Sequence, residues 1–236
     1  MSSSLGGLLS VTFYEPGYDH LVELIHQRDV AARRRLDSLA VAVYDDAGKT
    51  LAELRVDPQR EILDLAALVA GLPRADGRVM VTFDARYDER VFPYRPHHYA
   101  YLHRRGAPSP SLYYAVNAVL GGVPDRIGAT NINNFETYLF LRRPLAERYA
   151  VLLGNPARFS AAEIQVLIYH ERERTPLDVT LAPKAHAEVP LPAERDGRRL
   201  HRVEVKAPFR LASYVVGRAA DSADLVLFDH LFTYSR

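Results

Sequence analysis

Short β-type runs recurring about every ten residues, each closed by a Pro, Gly, Asp or Asn turn, constrain this chain more than any other feature. The second half shows the pattern most plainly. Glu136–Leu141, Tyr149–Leu153, Ile164–Tyr169, Leu177–Leu181, Glu188–Leu191, His201–Lys206, Leu211–Val216 and Leu225–Tyr234 each read as a strand. In the first half, Val11–Tyr14 ends at the turn Glu15-Pro16-Gly17, after a tail over residues 1–10. Leu39–Tyr44 and Leu51–Val56 flank Asp45-Asp46-Ala47-Gly48 as a hairpin. Arg78–Phe83 follows, and then the stretch Pro96–Arg104.

Three segments read two ways. Ala66–Leu72 suits a strand or a helical turn, and Leu112–Leu120 a short helix or a buried strand. Between Tyr18 and Asp37, Leu21, Leu24, Ile25 and Val30 form a rough helical stripe, while His20–Ile25 alone suits a strand followed by a polar loop. An internal match favours the strand. At an offset of 125, Val41-Ala42-Val43-Tyr44 lies on Val166-Leu167-Ile168-Tyr169, Thr50 on Thr175 and Pro58 on Pro183. At 124, Arg78-Val79 meets Arg202-Val203, and at 132 His98 meets His230 and Arg104 meets Arg236. A duplication would pair Tyr149–Leu153 with a strand near His20–Ile25.

The expected architecture is therefore all-β: two tandem antiparallel β-sandwich domains of about seven strands each, over 11–105 and 135–236, joined by a connector over 106–134. The pattern from Asn155 to Pro183 (Asn155-Pro156, Ile164-Gln165-Val166, Ile168-Tyr169, Val179, Leu181-Ala182-Pro183) resembles that of immunoglobulin-like bacterial sandwich domains. That resemblance implies a fold class and no activity.

Composition narrows the function classes. Thirty basic residues against 29 acidic ones leave a formal charge of +1, with no electrostatic footprint for nucleic acid or an anionic membrane. Arg33-Arg34-Arg35 reads as a solvated face before a phosphate site. The absence of cysteine excludes disulfides, thiolate nucleophiles and Cys-ligated zinc, and suits a cytoplasmic chain. No signal-peptide n-region and no bilayer-length apolar run is visible, so a soluble protein without membrane insertion is expected. The P-loop, dinucleotide, nucleophile-elbow and zincin motifs are missing.

The chemistry-bearing residues gather in Pro96-His97-His98-Tyr99-Ala100-Tyr101-Leu102-His103-Arg104. In a strand, His97, Tyr99, Tyr101 and His103 share one face and His98, Ala100, Leu102 and Arg104 the other. His97 and His103 would stand roughly 20 Å apart at ~3.3 Å per residue. One ion needs further ligands, such as His20, His230 or Glu136. No metal and no cofactor is therefore assigned. Tyr87, Phe92, Tyr94, Tyr99, Tyr101, Tyr113 and Tyr114 add aromatic density, but without Trp a core or interface reading is preferred to a sugar platform. Asn131, Asn133 and Asn134 suit turn chemistry, with hydrogen bonding to a ligand as the alternative.

The expected function is a non-enzymatic binding or assembly module. Its ligand-binding residues are His97, Tyr99, Tyr101, His103, Asn131 and Asn133, and it recognises a protein partner or small polar ligand, with self-association. The alternative is a His/carboxylate enzyme, with or without a metal, whose site is assembled between the two halves.

Overall fold

Alternating apolar and polar residues make strands, and here the inward sets are rich in Val, Leu, Ile, Phe and Tyr. The computed structural model describes residues 6–24, 36–57, 59–73, 77–87, 98–106, 111–118, 135–140, 148–219, 222 and 224–235. The chain divides into two compact units, Met1–Gly122 and Val123–Arg236.

In the first unit, one sheet is built from β1 (Gly6–Tyr14), β3 (Leu36–Tyr44), β4 (Thr50–Val56), β6 (Val79–Tyr87) and β9 (Asn117–Ala118), in the order β4-β3-β6-β1-β9. The other holds β2 (Tyr18–Glu23), β5 (Ile62–Asp64), β7 (Tyr99–Arg104) and β8 (Leu112–Ala115), in the order β5-β2-β7-β8. All pairings are antiparallel. The face of the first sheet that carries Thr12, Val41, Val43, Val81 and Phe83 turns toward the face of the second that carries His20, Val22, Ala100 and Leu102, and the apolar residues of both faces are fully buried. Between them a polar chain crosses the core. Thr12 Oγ1 of β1 lies 2.6 Å from the Tyr114 hydroxyl of β8, which lies 2.8 Å from His20 Nε2 of β2.

The second unit repeats the strand order. One sheet runs β13 (Glu173–Leu181), β12 (Ala162–His170), β16 (Arg198–Ala207), β10 (Phe135–Phe140), β19 (Phe232–Ser235), with the two-residue β15 (Glu194–Arg195) beside β16. The other runs β14 (His186–Leu191), β11 (Arg148–Gly154), β17 (Ala212–Arg218), β18 (Leu225–His230). With β15 set aside, both units place their strands fourth-third-sixth-first-ninth and fifth-second-seventh-eighth. Val151, Leu153, Val189 and Val215 of one sheet share a core with Ile164, Val166, Val203 and Val205 of the other.

Several sequence expectations change. Residues 6–10 are not tail but the start of β1, held by nine register pairs to β6 from Gly6↔Tyr87 to Tyr14↔Val79. Within the expected connector, Leu112–Ala115 and Asn117–Ala118 are strands of the first unit, paired to β7 and β1. The ambiguous 66–72 segment contains a helix, α1 (Leu65–Val69). It buries Leu65 and Val69 one turn apart, with Asp64 capping through its bond from Ala67 N–H at 3.0 Å. Tyr18–Glu23 is a strand; residues 25–35 lie outside the described residues. The single run expected over Leu225–Tyr234 breaks at Leu231 into β18 and β19, which belong to different sheets. The expected seven strands per domain become nine in the first unit and ten in the second among the described residues. The additions are mostly runs of two to four residues, too short to show a period.

The match of His98 to His230 also fails. The place of β7 in the first unit is taken by β17 in the second, whereas His230 ends β18. Two shared letters at one spacing outweighed sheet position in that alignment.

Candidate functional site

The outward side of β5-β2-β7-β8 carries the predicted aromatic face. His98 and Leu102 point inward: His98 is 1% exposed and packs on the Phe83 ring at 5.3 Å, and Leu102 is fully buried. Their neighbours turn the other way by the two-residue period, leaving Tyr101 40% exposed. Tyr99 and His103 are half-buried on that outward side.

Register decides who stands beside whom. Glu23 pairs Tyr99, Leu21 pairs Tyr101 and Asp19 pairs His103 across β2–β7. On the other flank Tyr101 pairs Tyr113, itself 56% exposed. Tyr113 leans diagonally onto Tyr99, with ring centroids 5.4 Å apart and planes within 2°. This offset-stacked spacing is favourable for aromatic pairs. The Tyr113 hydroxyl donates to Glu23 Oε2 across 3.5 Å. Tyr101 leans the opposite way, and its hydroxyl donates to Ser111 Oγ at 2.7 Å, with His103 Nδ1 3.2 Å from the same oxygen.

At the end of this row Asp19 Oδ1 is held by Arg105 Nε at 3.2 Å. Arg105 also donates through Nη2 to the Tyr14 hydroxyl and the Tyr18 carbonyl. Ser111 and His103 thus bring a hydroxyl and an imidazole into hydrogen-bond reach, on an open sheet surface. Nucleophile activation needs a base oriented by a third group, and the carboxylate across from His103 is engaged by Arg105. The arrangement orders a surface of hydroxyls, rings and carboxylates. Among the described residues, no group of three or more His, Cys, Asp or Glu is placed to hold a metal ion.

Of the predicted residues, Tyr99, Tyr101 and His103 share this face, while His97, Asn131 and Asn133 lie outside the described residues. The prediction missed Ser111, Tyr113 and Glu23 as its neighbours. Tyr113-Tyr114 was visible as a doublet. Only the β7–β8 register sends Tyr113 outward to stack on Tyr99 and Tyr114 inward to His20.

Behind the face, His20 is fully buried, and burial pushes its imidazole down from 6.5 to about 3. It therefore stays neutral near pH 7. Comparison with protein families, curated proteins and solved structures finds no match for this chain. Among the described residues, no helix is long and apolar enough to cross a membrane.

Proposed function

We propose that the chain is a non-enzymatic binding or assembly module whose recognition surface is the outward face of β2, β7 and β8. That surface would take a protein partner or a small polar ligand, with a second copy of the chain among the partners. One observation carries the reading: the parallel Tyr99–Tyr113 stack stands beside the exposed Tyr101 on one sheet face. Tyr offers large contact area at small entropic cost and a hydroxyl that tolerates water, which suits surfaces alternating between free and bound states. Exposed large side chains scattered singly need no such explanation; a row of them does.

The test is a Tyr101→Ser/Tyr113→Ser double variant, compared with the parent by sedimentation velocity over a wide concentration range. A thermal-shift screen of small polar compounds runs alongside. The expected result is association or ligand stabilisation that the double variant loses. A strict monomer that no compound stabilises would sink the proposal.

We infer further that the units are copies of one immunoglobulin-like sandwich. The shared strand order supports this, as does the fall of both Val41–Tyr44 and Val166–Tyr169 on the third strand of their units. Copies that diverge in function should differ on their surfaces. In the second unit, the side of β11 and β17 opposite the core carries the buried Leu152, Tyr214 and Val216 instead of an exposed tyrosine row.

A further inference from the structure

In the second unit β13 ends its sheet, with β12 on one side and, among the described residues, no strand on the other. The two-residue turn Glu171-Arg172 joins β12 to β13, with Glu171 at φ +54° and His170 paired to Glu173 across it. Residues flanking such a turn bond to each other, and the ladder then alternates. Thr175, Leu177 and Val179 therefore turn their backbone groups to β12. Arg174, Pro176, Asp178 and Thr180 turn theirs to the open edge. Pro176 has no N–H to offer there, and an outward-facing edge position is where a strand tolerates proline. It also divides the edge. Beyond it, Asp178 and Thr180 present an uninterrupted row of N–H and C=O groups, with no partner among the described residues.

A groove of about 810 Å3 opens beside this half of the edge, bordered by Asp178 and Thr180, by Glu163 and Gln165 of β12 and by Lys206 of β16. Register puts these five on one face of the sheet: Glu163 pairs Thr180, and Gln165 pairs both Asp178 and Lys206. Glu163 and Asp178 are exposed, and the contact to Asp178 from Gln165 Nε2, at 3.3 Å, brings no charge. Lys206 is engaged in an interaction of its own in which neither carboxylate takes part. A second copy of the chain is a poor occupant. Any antiparallel pairing of β13 with itself that extends past Asp178 toward Glu173 brings Pro176 into the seam, and centring it on Asp178 sets that carboxylate against its own copy. We propose that the edge from Asp178 to Leu181 takes up an extended segment of a partner protein as an added strand, with a lysine or arginine of that segment in the groove against Glu163 and Asp178. Main-chain bonds to a sheet edge supply affinity, and the side-chain groove selects the partner. This surface belongs to the second unit and stands independently of the tyrosine face of the first.

The experiment titrates a capped five-residue peptide, with lysine at its second and fourth positions and threonine elsewhere, into the full chain and follows the backbone amides by NMR. Saturable shifts and slowed hydrogen exchange are expected at Asp178 and Thr180, whose N–H groups face the open edge. Two control peptides separate charge from backbone bonding. Glutamate in place of lysine should weaken binding about tenfold or more, and so should N-methylation of the peptide's edge-facing amides. The double variant Glu163→Gln/Asp178→Asn should bind the lysine peptide about tenfold or more weakly. Glu171→Gln, at an exposed carboxylate in the turn at the other end of β13, should bind it like the parent. No saturable binding, equal binding of the glutamate or N-methylated peptide, parent-like binding by the double variant, or an equal loss in Glu171→Gln would each overturn the site. Shifts confined to Tyr99, Tyr101 and Tyr113 would overturn it too, and would put the peptide on the tyrosine face instead.

Discussion

Acidification should weaken the first unit through His20, by an amount that follows from its surroundings. The imidazole lies between the Tyr14 ring, stacked at 6.3 Å, and the Tyr114 ring at 6.1 Å. Nε2 meets the Tyr114 hydroxyl, and Nδ1 is buried with no hydrogen-bond partner among the described residues. The groups against it, Tyr14, Tyr114 and Thr12 beyond, are neutral hydroxyls and rings that offer no counter-charge. Unfolded, the side chain titrates near 6.5; folded, at about 3. Above pH 6.5 neither state carries the proton, and stability does not depend on this group. Below it, the unfolded chain takes a proton that the folded chain refuses, so stability falls by about 1.4 kcal/mol per pH unit until the folded value is reached.

Between pH 7 and pH 5 the loss from His20 alone is about 2 kcal/mol, and the full span to pH 3 approaches about 5 kcal/mol. The assay is urea unfolding with hydrogen exchange read at the amides of Val22 and Ala100, which report β2 and β7 directly. His20→Gln keeps a polar group for Tyr114 but cannot titrate, so the pH 7 to 5 loss should shrink by about 2 kcal/mol relative to the parent. The other histidines contribute equally to both proteins and cancel. An unchanged pH dependence in the variant, or a folded-state NMR titration of His20 near 6, would refute the reasoning.

Two further outcomes test the fold. Asn155, fully buried, donates through Nδ2 to the carbonyls of Ser160, Leu181 and Ala182 and accepts from Ala157 N–H. Asn155→Asp sets a carboxylate against three carbonyls. It should cost the second unit about 3–5 kcal/mol in urea unfolding at pH 7, with partial recovery at low pH as protonation restores a donor. In the β3–β4 turn, Asp45 accepts from Ala47 and Lys49 N–H at 3.1 and 2.8 Å, while Gly48 takes φ +86°. Asp45→Ala should lower the first unit's stability by about 1–2 kcal/mol in the same assay, and a change within error would mean that the glycine holds the turn unaided.

What could be read directly from the residues was whatever depends on neighbours in sequence. The two-residue period identified the long strands and placed Tyr99, Tyr101 and His103 opposite His98 and Leu102, because alternation is a property of the extended backbone itself. Turn chemistry did the same for Asp45–Gly48, where a short side chain bonds its own backbone.

Tertiary structure decided everything that depends on which strand lies beside which. Sheet order assigned Leu112–Ala118 to the first unit and separated β7 from His230, although letters alone aligned them. Register brought Ser111 beside His103 from 8 residues away, Tyr113 beside Tyr99 from 14, and Glu23 beside Tyr99 from 76. It also set Arg148 opposite Arg218, which stand 70 positions apart in the chain. The physical reason is the same in each case. Backbone hydrogen bonds between strands are chemically alike at every position, so the chain's local pattern says that a strand forms and which way its side chains turn. Only the packing of the whole core selects its partner and its register.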